Sequence, residues 1–245
     1  MFGLSGRTAV VTGGNSGIGR VMAAGLREAG AAVVLMARDR ERLEATAAEL
    51  GAHAVTCDLS DRADLARAAD AAARLAGEPD ILVNAAGINP RPHMNDLTAA
   101  VWDDVLEVNV TAPFLLGQRF GPGMADRGWG RIINVVSQQA LRAYGNSGAY
   151  GVSKGGLASL TRSQAEAWSP HGVCCNAVAP GVVETPMTAA IFRDPERAAA
   201  AAARTMIGRN GRPEDFAGIA VFLAGDGSAA ITGQVICVDG GFSAH

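Results

Sequence analysis

Thr8-Ala9-Val10-Val11-Thr12-Gly13-Gly14-Asn15-Ser16-Gly17-Ile18-Gly19 is the stretch that decides the fold of this 245-residue chain. The run 8–12 reads as a strand covered on both faces, because it is nearly continuous in apolar residues. After it, Gly13, Gly17 and Gly19 follow at intervals of three residues and then one, and a helix-like segment begins at Gly19. Strand, glycine turn and helix in that order bring unpaired amides and a positive helix end to one place, where the pyrophosphate of a dinucleotide binds. Glycines also make ordinary turns; their position between a strand and a helix is what favours the nucleotide. Asn15, Ser16 and Ile18 complete the turn and are expected cofactor neighbours together with its glycines.

Outward from that point the pattern repeats. Apolar runs at 32–36, 53–57, 81–84, 131–136, 173–178 and 234–238 bring the strands to seven. Between them, segments 19–28, 40–50, 62–74, 99–127, 150–168 and 212–225 are rich in Ala, Leu, Arg and Glu and read as helices. Alternation of this kind predicts an α/β fold, a parallel sheet with helices on both faces. No linker or internal repeat divides the chain, so a single domain over 1–245 is expected. The stretch 187–210 loses strand pattern, carries Pro195 and an alanine run, and reads as a helical flap over a pocket.

Composition excludes several classes of function. With 49% hydrophobic residues, 18% charged residues and a net charge of -3, the chain has an ample core and no basic stretch for nucleic acid. No apolar run approaches the ~18 residues of a membrane span, and the first residues lack a leader pattern, so a cytoplasmic protein is expected. Cys57, Cys174, Cys175 and Cys237 do not have metal-ligand spacing and read as small apolar residues, so no metal is expected.

An acid at the end of the second strand would bind the ribose hydroxyls of NAD. Here Ala37 stands at that place with Arg38 beside it, which favours NADP, with NAD possible, because a guanidinium pairs with a 2′-phosphate. A solvated arginine beside Asp39 is the alternative. Asp58, followed by Leu59, ends the third strand, where its carboxylate can meet the adenine amino group or cap the following helix.

Ser137, Tyr150 and Lys154 carry the chemistry. One helical turn separates Tyr150 from Lys154, which puts phenol and ammonium on one face, where the ammonium is expected to lower the phenol's pKa. A phenol so tuned can exchange a proton with an alcohol or ketone oxygen, and a serine hydroxyl at a strand end can hydrogen-bond that oxygen. Singly, each residue has an ordinary structural role; behind a dinucleotide turn their combination points to hydride chemistry.

TGGNSGIG at 12–19, NAAG at 84–87, Asn109, Ser137, YGVSK at 150–154 and PGVVETPM at 180–187 together resemble the short-chain dehydrogenase/reductase family over essentially the whole chain. The resemblance implies a Rossmann-type doubly wound sheet, an oxidoreductase using NADP or NAD, and often a homotetramer, to which the tail at 238–242 is similar. It also implies that Lys154 binds the nicotinamide ribose and that Asn109 holds a water linking Lys154 to solvent. Asn84, Ala85 and Gly87 are implied as cofactor floor, and Pro180, Gly181, Val183 and Thr185 as neighbours of the carboxamide or phosphate.

Within the family the likeness points to gluconate 5-dehydrogenase-like members and to 3-oxoacyl-carrier-protein-reductase-like members. Arg91, His93, Gln138, Gln139 and Arg142 flank the expected pocket and suit a polar or anionic small-molecule substrate; solvated loop positions are the alternative. Tyr144 reads as pocket wall. Carrier-protein reductases carry basic residues near the ends of two long helices; Arg127 fits one place, but His171 occupies the other. A polyol, sugar acid or similar secondary alcohol is therefore expected, with carrier-bound ketoacids or a catalytically idle NADP sensor as alternatives.

Overall fold

The computed structural model describes residues 2–244. Seven strands form one parallel sheet: β1 (Thr8–Thr12), β2 (Ala32–Ala37), β3 (His53–Thr56), β4 (Ile81–Asn84), β5 (Gly130–Val135), β6 (Val173–Pro180) and β7 (Val235–Val238). Their spatial order is β3-β2-β1-β4-β5-β6-β7, so the chain winds one way from β1 and then the other. Thr12 stands in register with Met36 on one side and Asn84 on the other, and Asn84 with Asn134. That register collects the carboxyl ends of the strands along one edge. A crevice opens there, between β1 and β4, where the strand order reverses.

Helices cover both faces. Leu26 of α1 (Gly17–Glu28) and Leu223 of α9 (Ala217–Ala224) pack with Val11, Leu35 and Ile133 on one face. On the other, Leu65 of α3 (Arg62–Ala76) and Leu116, Phe120 and Met124 of α5 (Ala112–Asp126) pack with Val10, Leu82 and Ile132. Neighbouring residues of a strand thus face opposite cores, which explains why these strands read as continuous apolar runs. Helices α2 (Arg40–Leu50) and α3 start on Asp39 and Asp61, whose carboxylates accept backbone N–H bonds.

The expected helix 99–127 is interrupted. It consists of α4 (Ala99–Leu106), one π turn over Glu107–Thr111, and α5. Pro113 is the physical reason: it has no N–H to offer the carbonyl four residues earlier, that of Asn109, and its ring crowds that carbonyl. The 212–225 helix is likewise shorter at its start, where Pro213–Phe216 form a 3-10 turn before α9. Between β6 and α9 the chain carries α7 (Ala189–Phe192) and α8 (Pro195–Ala203), and a bridge between Val183 and Gly211 joins the two ends of this excursion. Among the described residues no helix is long and apolar enough to cross a membrane.

Candidate active site

The glycine turn is built by close approach. A methyl group on Gly13 would stand 2.9 Å from the Ala86 Cα, and one on Gly19 would stand 2.5 Å from the Gly13 carbonyl oxygen. Only hydrogen fits at either place, so the turn lies flat against the start of α1 and the loop after β4. Thr12 ties these parts together, its hydroxyl accepting the amides of Ala85 (3.1 Å) and Ala86 (3.2 Å). Ser16 stands at the N-cap of α1 without a side-chain cap bond, and the first turn holds no acidic residue. The amides that α2 and α3 satisfy with aspartate remain open here, and the macrodipole favours an anion there. The residues fit a dinucleotide pyrophosphate on these two observations.

A cleft of about 320 Å³ runs along the sheet edge. Gly13, Asn15, Ser16, Gly17, Ile18 and Gly19 line its near wall, and Arg38, Asp58 and Leu59 line one end. Ala85 and Gly87 form the floor, and Pro180, Gly181, Val183 and Thr185 also line the cleft, Thr185 close against Gly17. Asn84 is the exception: it lies beneath the floor, buried, and its amide donates to Asn134 Oδ1 at 2.8 Å. Asn134 in turn donates to Thr161 and Gln164 of α6 (Gly148–Trp168), so the asparagine expected against the cofactor holds β4, β5 and α6 together instead. Motif reading alone gave no sign of Asn134, Thr161 and Gln164.

Arg38 reaches solvent at the cleft end, 3.9 Å from Asp58 across an exposed ion pair. Asp58 accepts both the backbone amide and the hydroxyl of Ser60, and those bonds hold its carboxyl below the usual range. Asp61, rather than Asp58, caps the helix that follows.

Ser137, Tyr150 and Lys154 line the same cleft. Ser137 follows β5 at the start of a 3-10 turn and accepts the Gln139 amide at 3.1 Å, and its hydroxyl acts on the Tyr150 phenol to favour the anion. Lys154 is buried and its Nζ donates to the Val135 carbonyl at 2.8 Å. Asn109 does not reach the cleft surface. Its Oδ1 accepts the Ile88 amide (2.9 Å), and its Nδ2 donates to the Ile88 carbonyl and to Ser153 Oγ, both at 3.0 Å. A methyl on Gly87 would touch Asn109 Oδ1 at 3.2 Å and Lys154 Nζ at 3.4 Å, so the two groups face one small space.

The expected lowering of the phenol's pKa is not found. Burial pushes Tyr150 above its ordinary value, and the Ser137 bond and the Arg91 charge recover only part of the shift. Burial also lowers Lys154 to about 8. The physical reason is that a dry pocket penalises both charges at once, while the ammonium is turned onto the Val135 carbonyl with its nitrogen 5.6 Å from the Tyr150 ring centre.

The residues expected to flank the pocket carry contacts of their own. Arg91 adopts φ 58, donates to the Gly145 carbonyl at 2.9 Å and stands 5.2 Å over the Tyr144 ring. His93 accepts the Asn95 amide, Gln138 is buried, Gln139 accepts Ser147, and Arg142 donates to the Ser243 carbonyl. None of them lines the cleft. A second hollow adjoins it beside Ile88, Asn89, Val101 and Met187.

The family model described as enoyl-(acyl carrier protein) reductase matches residues 13–243. The chain is 38% identical to gluconate 5-dehydrogenase of Gluconobacter oxydans, over 99% of this chain and 97% of the relative. It is 39% identical to the rhamnolipids biosynthesis 3-oxoacyl-[acyl-carrier-protein] reductase of Pseudomonas aeruginosa, over 98% of both. The crystal structure of a gluconate 5-dehydrogenase from Burkholderia cenocepacia in complex with NADP and tartrate superposes with a TM-score of 0.94 at 34% identity, covering 100% of this chain and 98% of that one.

Proposed function

The chain belongs to the short-chain dehydrogenase/reductase family and is an NAD(P)-dependent oxidoreductase, and from that premise we propose that it interconverts a secondary alcohol and a ketone on a small polar substrate, a polyol or sugar acid. The observation that carries this proposal is the meeting of Ser137, Tyr150 and Lys154 in the same cleft as the uncapped start of α1. A nicotinamide bound there gives or takes the hydride. The chain's own side chains handle the proton and the charge. Tyr150 gives its phenolic proton to the ketone oxygen as the C–H bond forms, and takes it back in the reverse direction. Ser137 donates a hydrogen bond to that oxygen and disperses its developing charge. Because burial favours the neutral phenol, Tyr150 is set up as the acid of ketone reduction; alcohol oxidation requires a nearby positive charge to hold the phenolate. Lys154, protonated below about 8, supplies that charge and orients the nicotinamide ribose.

Arg38 favours NADP through its 2′-phosphate. Arg91, whose charge acts on Tyr150, suits the carboxylate of a sugar acid. The carrier-protein alternative, which the Pseudomonas aeruginosa relative's name raises, is weakened by Arg127: it donates to the Pro79 carbonyl at 2.7 Å and faces Asp80, so its charge is already partnered within this chain. The excursion from Met187 to Asn210 is proposed as a flap over the substrate, the assembly as a homotetramer, and the location as cytoplasmic. Exposed Phe114 and Val152, on α5 and α6, suit a subunit contact.

A screen of polyols, sugar acids and ketones with NADPH, NADP, NADH and NAD tests the reading. Tyr150→Phe is expected to lower kcat by about a thousandfold or more while cofactor binding persists. A rate within tenfold of the unsubstituted enzyme would remove Tyr150 as proton carrier. Turnover confined to carrier-bound ketoacids would establish the alternative substrate.

A further inference from the structure

We propose that Ser153 is a positioning residue of this reaction, fixing the amide of Asn109 beside Lys154; the inference rests on the oxidoreductase reading above. Ser153 is fully buried on α6, between the proposed proton carrier and the lysine. Its hydroxyl donates to the Tyr150 carbonyl at 2.7 Å. With its one proton spent there, Oγ can only accept, and it accepts from Asn109 Nδ2.

This agrees with the way Ile88 makes the amide face and adds a third tie to it. The Ile88 amide requires an oxygen opposite it, while the Ile88 carbonyl and Ser153 Oγ each require a nitrogen. Both hydrogens of Nδ2 are then used, and Oδ1 is turned to the side where Gly87 and Lys154 Nζ lie. The π turn presents Asn109 at this spot, but the hydroxyl on α6 ties its orientation to the helix that carries Tyr150 and Lys154. Without that hydroxyl, one N–H of a buried amide loses its partner and only the two bonds to Ile88 hold the side chain. Since Ser153 does not line the cleft, cofactor affinity should not feel the change.

A serine that merely bonds back to its own helix turn would affect stability alone. The distinguishing measurement is a double-mutant cycle on the full chain, with Ser153→Ala, Asn109→Ala and both together, in saturating NADPH and the best ketone of the screen. Ser153→Ala is expected to lower kcat about tenfold with the NADPH KM unchanged. The double variant is expected to be no slower than Asn109→Ala beyond about twofold, because the serine acts through the asparagine. A NADPH-dependent rise in melting temperature verifies that each variant is folded, and Ser153→Cys, whose sulfur is only a weak acceptor, carries the cycle if the alanine variant is not. A kcat for Ser153→Ala equal to that of the unsubstituted enzyme, or losses that multiply in the double variant, overturns the link and leaves the oxidoreductase reading standing. No turnover by the unsubstituted enzyme with any substrate overturns both.

Discussion

Replacing Lys154 with methionine should make the protein more stable while disabling it. The ammonium is buried, and burial lowers its pKa from 10.5 to about 8, a penalty of about 3 kcal/mol against the charged form. The unfolded chain binds the proton more tightly than the folded one. Stability therefore increases as pH rises from 8 towards 10.5 and is constant at its lower value below 8. At pH 7 the full penalty applies, and methionine, similar in length and uncharged, removes it. The substitution also forfeits the hydrogen bond to the Val135 carbonyl, worth about 1 kcal/mol. A net gain of about 2 kcal/mol remains, or about 4 to 8 °C in melting temperature for a chain of this size. Calorimetry or urea unfolding at pH 7 and at pH 10 provides the assay, with turnover measured in parallel. The gain at pH 7 should shrink markedly at pH 10, where the native lysine is already neutral when folded. A Lys154→Met protein less stable than its parent at pH 7, or a gain of the same size at both pH values, would refute the claim that a buried charge is being tolerated for function.

Two further outcomes are expected. Arg38→Ala should raise the NADPH KM by about tenfold and change the NADH KM by less than twofold, since the guanidinium is largely exposed and its pairing with a phosphate is worth about 1 to 2 kcal/mol; steady-state kinetics with both cofactors decides, and equal shifts would discard the phosphate contact. Thr12→Val should cost about 2 to 3 kcal/mol in urea unfolding, because the amides of Ala85 and Ala86 lose their shared acceptor in a partly buried place; a loss below 0.5 kcal/mol would show that another acceptor takes over.

The sheet was legible because burial on both faces writes its strands as unbroken apolar runs, and their alternation with helical segments leaves few topologies. The glycine turn was legible for a steric reason: Gly13 and Gly19 sit where no side chain fits. The helical spacing of Tyr150 and Lys154 likewise brings both to one cleft. What the residues could not disclose depends on contacts between distant segments. Asn84 belongs to a network with Asn134, Thr161 and Gln164, and nothing local to NAAG reveals that its side chain turns inward. The sign of the Tyr150 shift is set by the loss of water that both groups suffer, which their helical spacing does not express. The π turn did carry a signal, Pro113 inside an otherwise helical stretch, whose consequence for the Asn109 carbonyl follows from the ring alone.

That extra residue in the turn at 107–111 makes chain length here a functional quantity. An α-helix advances by 100° per residue, so deleting any single position between Glu107 and Thr111 would tidy the helix at the expense of its aim. Everything before the deletion would rotate by that angle relative to everything after it, and Val105 and Leu116, which now both face inward, would fall out of phase. A substitution within the turn leaves that phase intact, whereas a change of length does not.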